Sequence, residues 1–134
     1  MSSIQTTDSQ TRVTAVVPAE SLSATHWLAL GLVAVTGIIH VYLFVTESWL
    51  PFLLAGVGFL GAIGLFFVVK SYRRVLYAGI ALFTLGQVVG YLLLPIGPVW
   101  LGVLDKAVQI ALVAVLASLF VADGRQHASS DPRG

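Results

Sequence analysis

Asp105 and Lys106 stand side by side inside the apolar run WLGVLDKAVQIALVAVLASLF, residues 100–120. A charged side chain at the centre of a membrane-spanning helix costs about 2.5–3.5 kcal/mol on insertion scales. A charge in such a run therefore normally has a partner or a function. His40 lies in another long apolar run and needs a partner for the same reason. These three residues are the strongest candidates for chemistry in the chain.

The composition indicates an integral membrane protein. Of the 134 residues, 57% are hydrophobic and only 10% are charged, whereas about a quarter of a soluble domain is charged. The net charge of +1 gives no field that favours nucleic acid as a partner. The absence of cysteine excludes disulfides and thiolate chemistry.

Four apolar segments follow one another at nearly regular spacing, at 26–46, 51–69, 75–95 and 99–121. Each is close to the ~20 residues that cross a hydrocarbon core as a helix. The connections between them are short, which forces neighbouring helices to run antiparallel. The sequence therefore predicts an all-α, up-down bundle of four transmembrane helices over residues 26–121, and we expect it to be a multi-pass protein of the cell membrane.

Basic residues predict the orientation of the bundle. Lys70, Arg73 and Arg74 crowd the second connection, while the first and third connections carry no Lys or Arg. The positive-inside rule then puts the second connection and both termini in the cytoplasm. Residues 1–25 and 122–134 are polar, and we expect both to be disordered cytoplasmic tails.

With this orientation, six polar residues from three helices fall in one layer of the outer leaflet. They are His40, Gln87, Tyr91, Asp105, Lys106 and Gln109. Helical spacing also gives them common faces: Gly102, Asp105 and Gln109 share one stripe, Thr84, Gln87 and Tyr91 share another, and Thr36 lies one turn from His40. We predict that the six polar residues of this layer form an intramembrane polar cluster.

The three ionisable residues of the cluster have structural as well as functional interpretations. Lys106 can extend its long side chain to the outer interface, which is the favoured expectation. Asp105 is too short for this, and His40 tilts toward the bilayer centre, so both must find partners inside the bundle. We expect Asp105 to contact His40, Tyr91 or Lys106, either to fix helix packing or to bind a ligand.

Glycines predict where helices approach closely. Gly86 and Gly90 form a GxxxG motif on the third segment, and the second segment carries Gly56, Gly58, Gly61 and Gly64. Small residues allow backbones to pack tightly in lipid, where no hydrophobic drive operates between helices. We interpret these six glycines as helix-packing positions, within the chain or between copies.

Other chemistries find little support in the sequence. His26 and His40 lie fourteen residues apart on one segment, a spacing suited to two haems, but the remaining spans hold no histidine to complete the ligand sets. No nucleophile–base pair, phosphate loop or two-carboxylate site is recognisable. We therefore predict no cofactor, no metal site and no enzymatic activity.

The runs GIIHVYLFVTESWLPFLLAGVGFLGAIGLFF and WLGVLDKAVQIALV resemble segments of small, uncharacterised four-helix membrane proteins of archaea and actinobacteria. The resemblance covers about residues 26–121 and includes His40, the glycine-rich second span and the Asp–Lys pair. It implies the four-helix fold and no particular activity.

Three functional hypotheses follow. The favoured one is an accessory or scaffolding subunit that packs with itself or with another membrane protein, within the lipid bilayer. The first alternative is a small transporter or channel that uses His40, Asp105 and Lys106. The second is a binding module for quinone or haem that uses His40, Gln87 and Tyr91.

Overall fold

The computed structural model describes residues 22–130, and the chain in this range forms four α-helices. They are α1 (Ala24–Glu47), α2 (Leu50–Val68), α3 (Arg73–Leu93) and α4 (Val99–Ser129). All four are long and apolar enough to cross a membrane. The predicted all-α fold with four helices that are each capable of spanning a membrane is therefore confirmed.

The helices form a closed ring in chain order. The backbone of each helix packs against that of the next, and α4 returns to α1. Within residues 22–130 the backbones of the diagonal pairs α1–α3 and α2–α4 stay more than 8 Å apart between Cα atoms, and these pairs meet only through side chains in the core. The α2–α3 seam is the sparsest of the four. The connections 48–49 and 94–98 lie together at one end of the bundle, which we call the two-loop end. The connection 69–72 lies at the opposite end with the start of α1 and the end of α4, and we call this the termini end.

Local sequence explains where the helices begin and end. Ser48 adopts a left-handed conformation (φ 53°) and its N–H caps the carbonyl of Phe44, which ends α1. Pro51 lies in the first turn of α2, where its missing N–H removes no helical hydrogen bond. Gly97 has φ 91°, a conformation that favours glycine, and Pro98 follows it as the N-cap of α4.

The expected C-terminal tail needs correction. Residues 122–134 were predicted to be disordered from 122 onward, but α4 continues to Ser129. The residues after 121 are polar, which ends the hydrophobic run, but the helix continues because the chain has no proline there before residue 132. The Arg74 guanidinium also lies 4.2 Å from the Phe120 ring centre, which holds this extension against α3. Residues 1–21 and 131–134 of the predicted tails lie outside the described range.

An apolar core fills the bundle between its middle and the termini end. Phe59 and Leu112 are fully buried, and Leu116 is 2% exposed; Val33 and Phe66 complete the same cluster. The outer surface of the bundle, in contrast, presents many large apolar side chains. Exposed apolar side chains are expected for helices that face lipid, because burying apolar surface in the protein gives no hydrophobic stabilisation there.

The predicted packing glycines divide into two groups. Gly56 lies against α1, where a Cβ atom would stand 3.1 Å from the carbonyl oxygen of Gly37, and Gly58 faces the Phe83 ring at 3.1 Å. Gly61, Gly64, Gly86 and Gly90 meet nothing within 4 Å. The first two therefore make contacts between helices of this chain, and the other four face open space in it.

Substitution of Gly56 tests the α1–α2 contact. In Gly56→Ala the new methyl group would meet Val41 Cγ2 at 2.7 Å and backbone atoms of α1 at 3.1 Å, so we expect a loss of about 1–3 kcal/mol in the free energy of unfolding. Gly61→Ala adds the same methyl group to the same helix in open space and should be neutral or slightly stabilising. Unfolding in mixed micelles measures both; equal effects would contradict the assigned packing.

Candidate functional site

The carboxylate of Asp105 is the centre of the candidate site. Asp105 lies near the start of α4, and its side chain is 2% exposed. Its Oδ1 accepts a hydrogen bond of 2.6 Å from the hydroxyl of Thr36 on α1. Its Oδ2 accepts one of 2.8 Å from Lys106 Nζ. The buried charge is therefore balanced by its sequence neighbour and fixed by the facing helix.

Lys106 turns into the bundle, so the expectation that it extends to the outer interface is wrong. Its ammonium group donates to Asp105 Oδ2 and to Gln109 Oε1, both at 2.8 Å, and its side chain is only 14% exposed. The physical reason is that the oxygens of two buried side chains need a donor, and Lys106 is the cation within reach. A paired ammonium group is cheaper here than an unpaired carboxylate.

Thr36 is the member of the cluster that sequence reasoning left out of the predicted set. Its hydroxyl donates to Asp105 and accepts a hydrogen bond of 3.3 Å from Gln109 Nε2. The side chain is fully buried. The available signal was its position one turn before His40 on the same face of α1.

His40 lies beside this network and contacts it through one ring nitrogen. Nδ1 is 2.8 Å from the backbone carbonyl of Thr36 and 3.7 Å from Asp105 Oδ1. Because a carbonyl only accepts hydrogen bonds, Nδ1 carries the proton. The ring packs near Phe52 and Phe59, at 6.0 and 5.7 Å between ring centres. The predicted approach of His40 to Asp105 is present, with the Thr36 hydroxyl as the bridge between the two helices.

The two predicted residues of α3 contribute differently. Tyr91 places its ring 5.4 Å from Lys106 Nζ, as a cation–π partner, and packs so closely on Gly102 that a Cβ atom there would overlap the ring. Gln87 faces the cavity described next. Within residues 22–130, neither Gln87 nor Tyr91 makes a side-chain hydrogen bond, so the polar groups of both remain open to a ligand.

A cavity of about 380 Å³ opens above the cluster at the two-loop end. His40, Gln87, Tyr91, Asp105 and Lys106 line it together with apolar side chains that include Trp49, Phe52 and Leu94. Gly86 and Gly90 also line it, and their missing side chains leave the α2–α3 seam hollow. The cavity thus joins a polar floor from three helices to apolar walls.

The remaining candidate residues lie at the opposite end. His26 bonds the Ser23 hydroxyl at 2.7 Å and lines other cavities than His40 does. Arg73 lies over the Phe66 ring at 4.7 Å. Lys70, Arg73 and Arg74 all lie at or next to the α2–α3 connection. Across residues 22–130, His, Asp and Glu form no group of three that could hold a metal ion.

Comparison with known proteins gives no relative: no family model, no curated protein and no solved structure matches the chain. The resemblance to small archaeal and actinobacterial membrane proteins therefore stays a prediction. The fold and the site themselves define a class, which is that of a four-helix membrane protein with a buried ion pair beneath an amphipathic cavity.

Two threonines provide a matched test of the polar cluster. Thr36→Val removes the hydroxyl between Asp105 and Gln109, and we expect it to lower the free energy of unfolding by about 1–3 kcal/mol because buried polar groups lose their partner. Thr84→Val removes an equally buried hydroxyl that bonds only the carbonyl of Ile80 in its own helix, so its effect should be below about 0.5 kcal/mol. Unfolding in mixed micelles distinguishes the two, and a larger loss in Thr84→Val would contradict the assignment.

Proposed function

We propose that the protein is a membrane-embedded binding module whose cavity at the two-loop end holds the polar head of a small lipophilic molecule, with quinone-type carbonyl groups as the best chemical match. The observation that supports this proposal most directly is the cavity itself, which combines hydrogen-bonding groups from three helices with apolar walls. Its volume of about 380 Å³ falls in the range of small-molecule sites.

The polar floor offers several hydrogen-bond donors. An ammonium group has three donors, and Lys106 uses two of them in hydrogen bonds to Asp105 and Gln109. The Gln87 amide and the Tyr91 hydroxyl make no hydrogen bond within the described part of the chain. Carbonyl oxygens of a ligand would accept from these groups, while its ring would pack against the aromatic side chains of Trp49 and Phe52.

The same geometry makes transport the weaker interpretation. Below the polar cluster, Phe59, Leu112 and Leu116 are 0–2% exposed and fill the bundle. These side chains form an apolar plug that closes the bundle beneath the polar cluster. A closed cavity suits a binding site, whereas transport would need an aqueous pathway through the bundle. A haem would need axial ligands, and His40 is the one histidine among the cavity-lining residues.

Binding is testable through Trp49, which lines the cavity while Trp27 and Trp100 do not. We expect a short-tailed benzoquinone to quench the fluorescence of a Trp27→Phe, Trp100→Phe double variant saturably in mild detergent. Tyr91→Phe in this background should weaken binding about two- to tenfold because one hydrogen bond is lost. The control Tyr42→Phe removes a hydroxyl from an exposed tyrosine outside the cavity.

Equal effects of Tyr91→Phe and Tyr42→Phe would contradict the proposal, as would quenching that rises linearly without saturation. The second result would mean that the quinone dissolves in the detergent and does not occupy a site.

The outward glycines support a second candidate function, that of a scaffolding subunit that associates with a second copy of itself. Gly61 and Gly64 are exposed on α2, and nothing lies within 4 Å of the position of a Cβ atom at either residue. Such small residues allow a close helix–helix approach between chains in lipid. The sparse α2–α3 seam leaves this side of the bundle the least covered.

A dimer through this face should dissociate when the glycines are enlarged. We expect the Gly61→Leu, Gly64→Leu double variant to shift the protein from dimer to monomer in mass photometry or in crosslinking of native membranes. Its unfolding midpoint should equal that of the wild type when both are measured at concentrations low enough for both to be monomeric. Gly31→Leu enlarges an equally open glycine on α1 and serves as the control. A wild-type chain that is monomeric at all concentrations would exclude this function.

For the orientation, we infer that the termini end faces the cytoplasm of the cell membrane, supported by the clustering of Lys70, Arg73 and Arg74 at that end. The cavity for the lipophilic ligand then opens in the outer leaflet.

A further inference from the structure

A second, more polar cavity of about 540 Å³ lies at the termini end of the bundle. It is lined by the first turns of α1 and α3 and by the last part of α4, and it includes His26, Arg73, Tyr77 and Asp123. The apolar plug of Phe59, Leu112 and Leu116 separates it from the cavity at the two-loop end. The two cavities are therefore distinct sites.

Two donors in this cavity have no acceptor within residues 22–130. Tyr77 is 3% exposed and makes no hydrogen bond there. The guanidinium of Arg73 lies 4.7 Å from the Phe66 ring centre, but it makes no hydrogen bond or ion pair in this range, and its Nε is buried without a partner. Buried polar groups are normally satisfied, so the unpartnered Nε of Arg73 is an exception that needs an explanation. Together with the unpaired hydroxyl of Tyr77 on the same cavity wall, it indicates a ligand that accepts hydrogen bonds.

Asp123 gives the cavity an acceptor as well. Its carboxylate lines the same space as Arg73, yet the two groups form no ion pair. Opposite charges that share a partly buried cavity without touching suit an occupant that reaches both of them. Such an occupant presents acceptors on one side and a donor on the other.

We propose that this cavity binds the headgroup of a phospholipid, with the phosphate on Arg73 and Tyr77 and a hydroxyl or ammonium donor of the same headgroup on Asp123. Arginine presents planar paired donors that match phosphate oxygens. The helices α1 and α3 both begin at this end, and their N-terminal N–H groups favour an anion. The site also lies at the end of apolar helices, which is the level of lipid headgroups.

The test uses the purified full chain in uncharged detergent and short-chain phosphatidylglycerol, whose glycerol hydroxyls supply the donor. We expect this lipid to raise the thermal unfolding temperature saturably, and short-chain phosphatidylcholine, which lacks a donor, to do so only at higher concentration. In Arg73→Lys the concentration for half-maximal stabilisation should rise about tenfold, because the charge stays but the paired donors are lost. Tyr77→Phe should raise it about two- to tenfold.

Arg74→Lys is the matched control, because Arg74 lies in the next position on α3 but packs over Phe120 and does not line this cavity. It should respond to the lipid as the wild type does. Asp123→Asn should reduce the preference for short-chain phosphatidylethanolamine over phosphatidylcholine. Both headgroups are zwitterionic but only the first has an ammonium donor, from which a carboxylate accepts more strongly than an amide does. If Arg73→Lys does not fold, Tyr77→Phe carries the test alone, since it leaves every charge in place.

Inorganic phosphate identifies the source of the phosphate group. Equal stabilisation by inorganic phosphate, lost in Arg73→Lys, would support a phosphate site that serves soluble anions, whereas stabilisation by the lipid alone would support the headgroup. Arg73→Lys and Tyr77→Phe proteins that bind the lipid as tightly as Arg74→Lys would overturn the proposal.

Discussion

The burial of the Asp105 carboxylate is the constraint on which the arrangement of the other polar groups depends. An isolated carboxylate inside an apolar bundle is not tolerated, and loss of one partner of a buried ion pair typically costs about 3–5 kcal/mol. Lys106 supplies the balancing charge, and Thr36 supplies a hydrogen bond from α1. Because Thr36 and Asp105 belong to the first and last helices, this one bond also helps to close the ring of helices between α1 and α4. Gln109 joins the same network from both sides, donating to Thr36 and accepting from Lys106.

The glycines determine where the ring is tight and where it is hollow. At the α1–α2 seam, Gly37 and Gly56 bring the two backbones into contact, so no space remains for a ligand. At the α2–α3 seam, Gly86 and Gly90 face an open space instead. The same residue type therefore closes one seam and opens another. The difference arises because α2 and α3 pack less closely than α1 and α2 do, so that only side chains could fill the space between them.

The sequence predicted the number of helices, their approximate limits and the common level of the polar residues along the bundle, because hydropathy and helical rise fix these quantities. It did not predict that Lys106 turns inward, because the position of Lys106 near the end of its segment favoured a side chain that extends to the outer interface. The inward contact with Gln109 depends on the rotamers of three side chains, which the sequence does not fix. Thr36 was left out of the predicted cluster because a threonine on an apolar helix usually bonds its own backbone, as Thr84 does. The end of α4 was misplaced because hydropathy reports contact with lipid, whereas the helix continues as long as its backbone is unbroken. Which glycines touch a neighbour depends on the rotation of each helix about its own axis, and that rotation is a property of the assembled bundle.

The contrast between the two ends of the bundle follows from how their charges are arranged. At the two-loop end, Asp105 and Lys106 are in direct contact, so their fields largely cancel in the cavity above them and a neutral ligand with carbonyl groups suits the remaining donors. At the termini end, Arg73 and Asp123 share a cavity without pairing, so each retains its own field and a ligand with separated charges suits the space. A plug of apolar side chains keeps these two environments apart. In the two proposed sites, the pairing of the charges therefore decides, more than their number, which kind of ligand would fit.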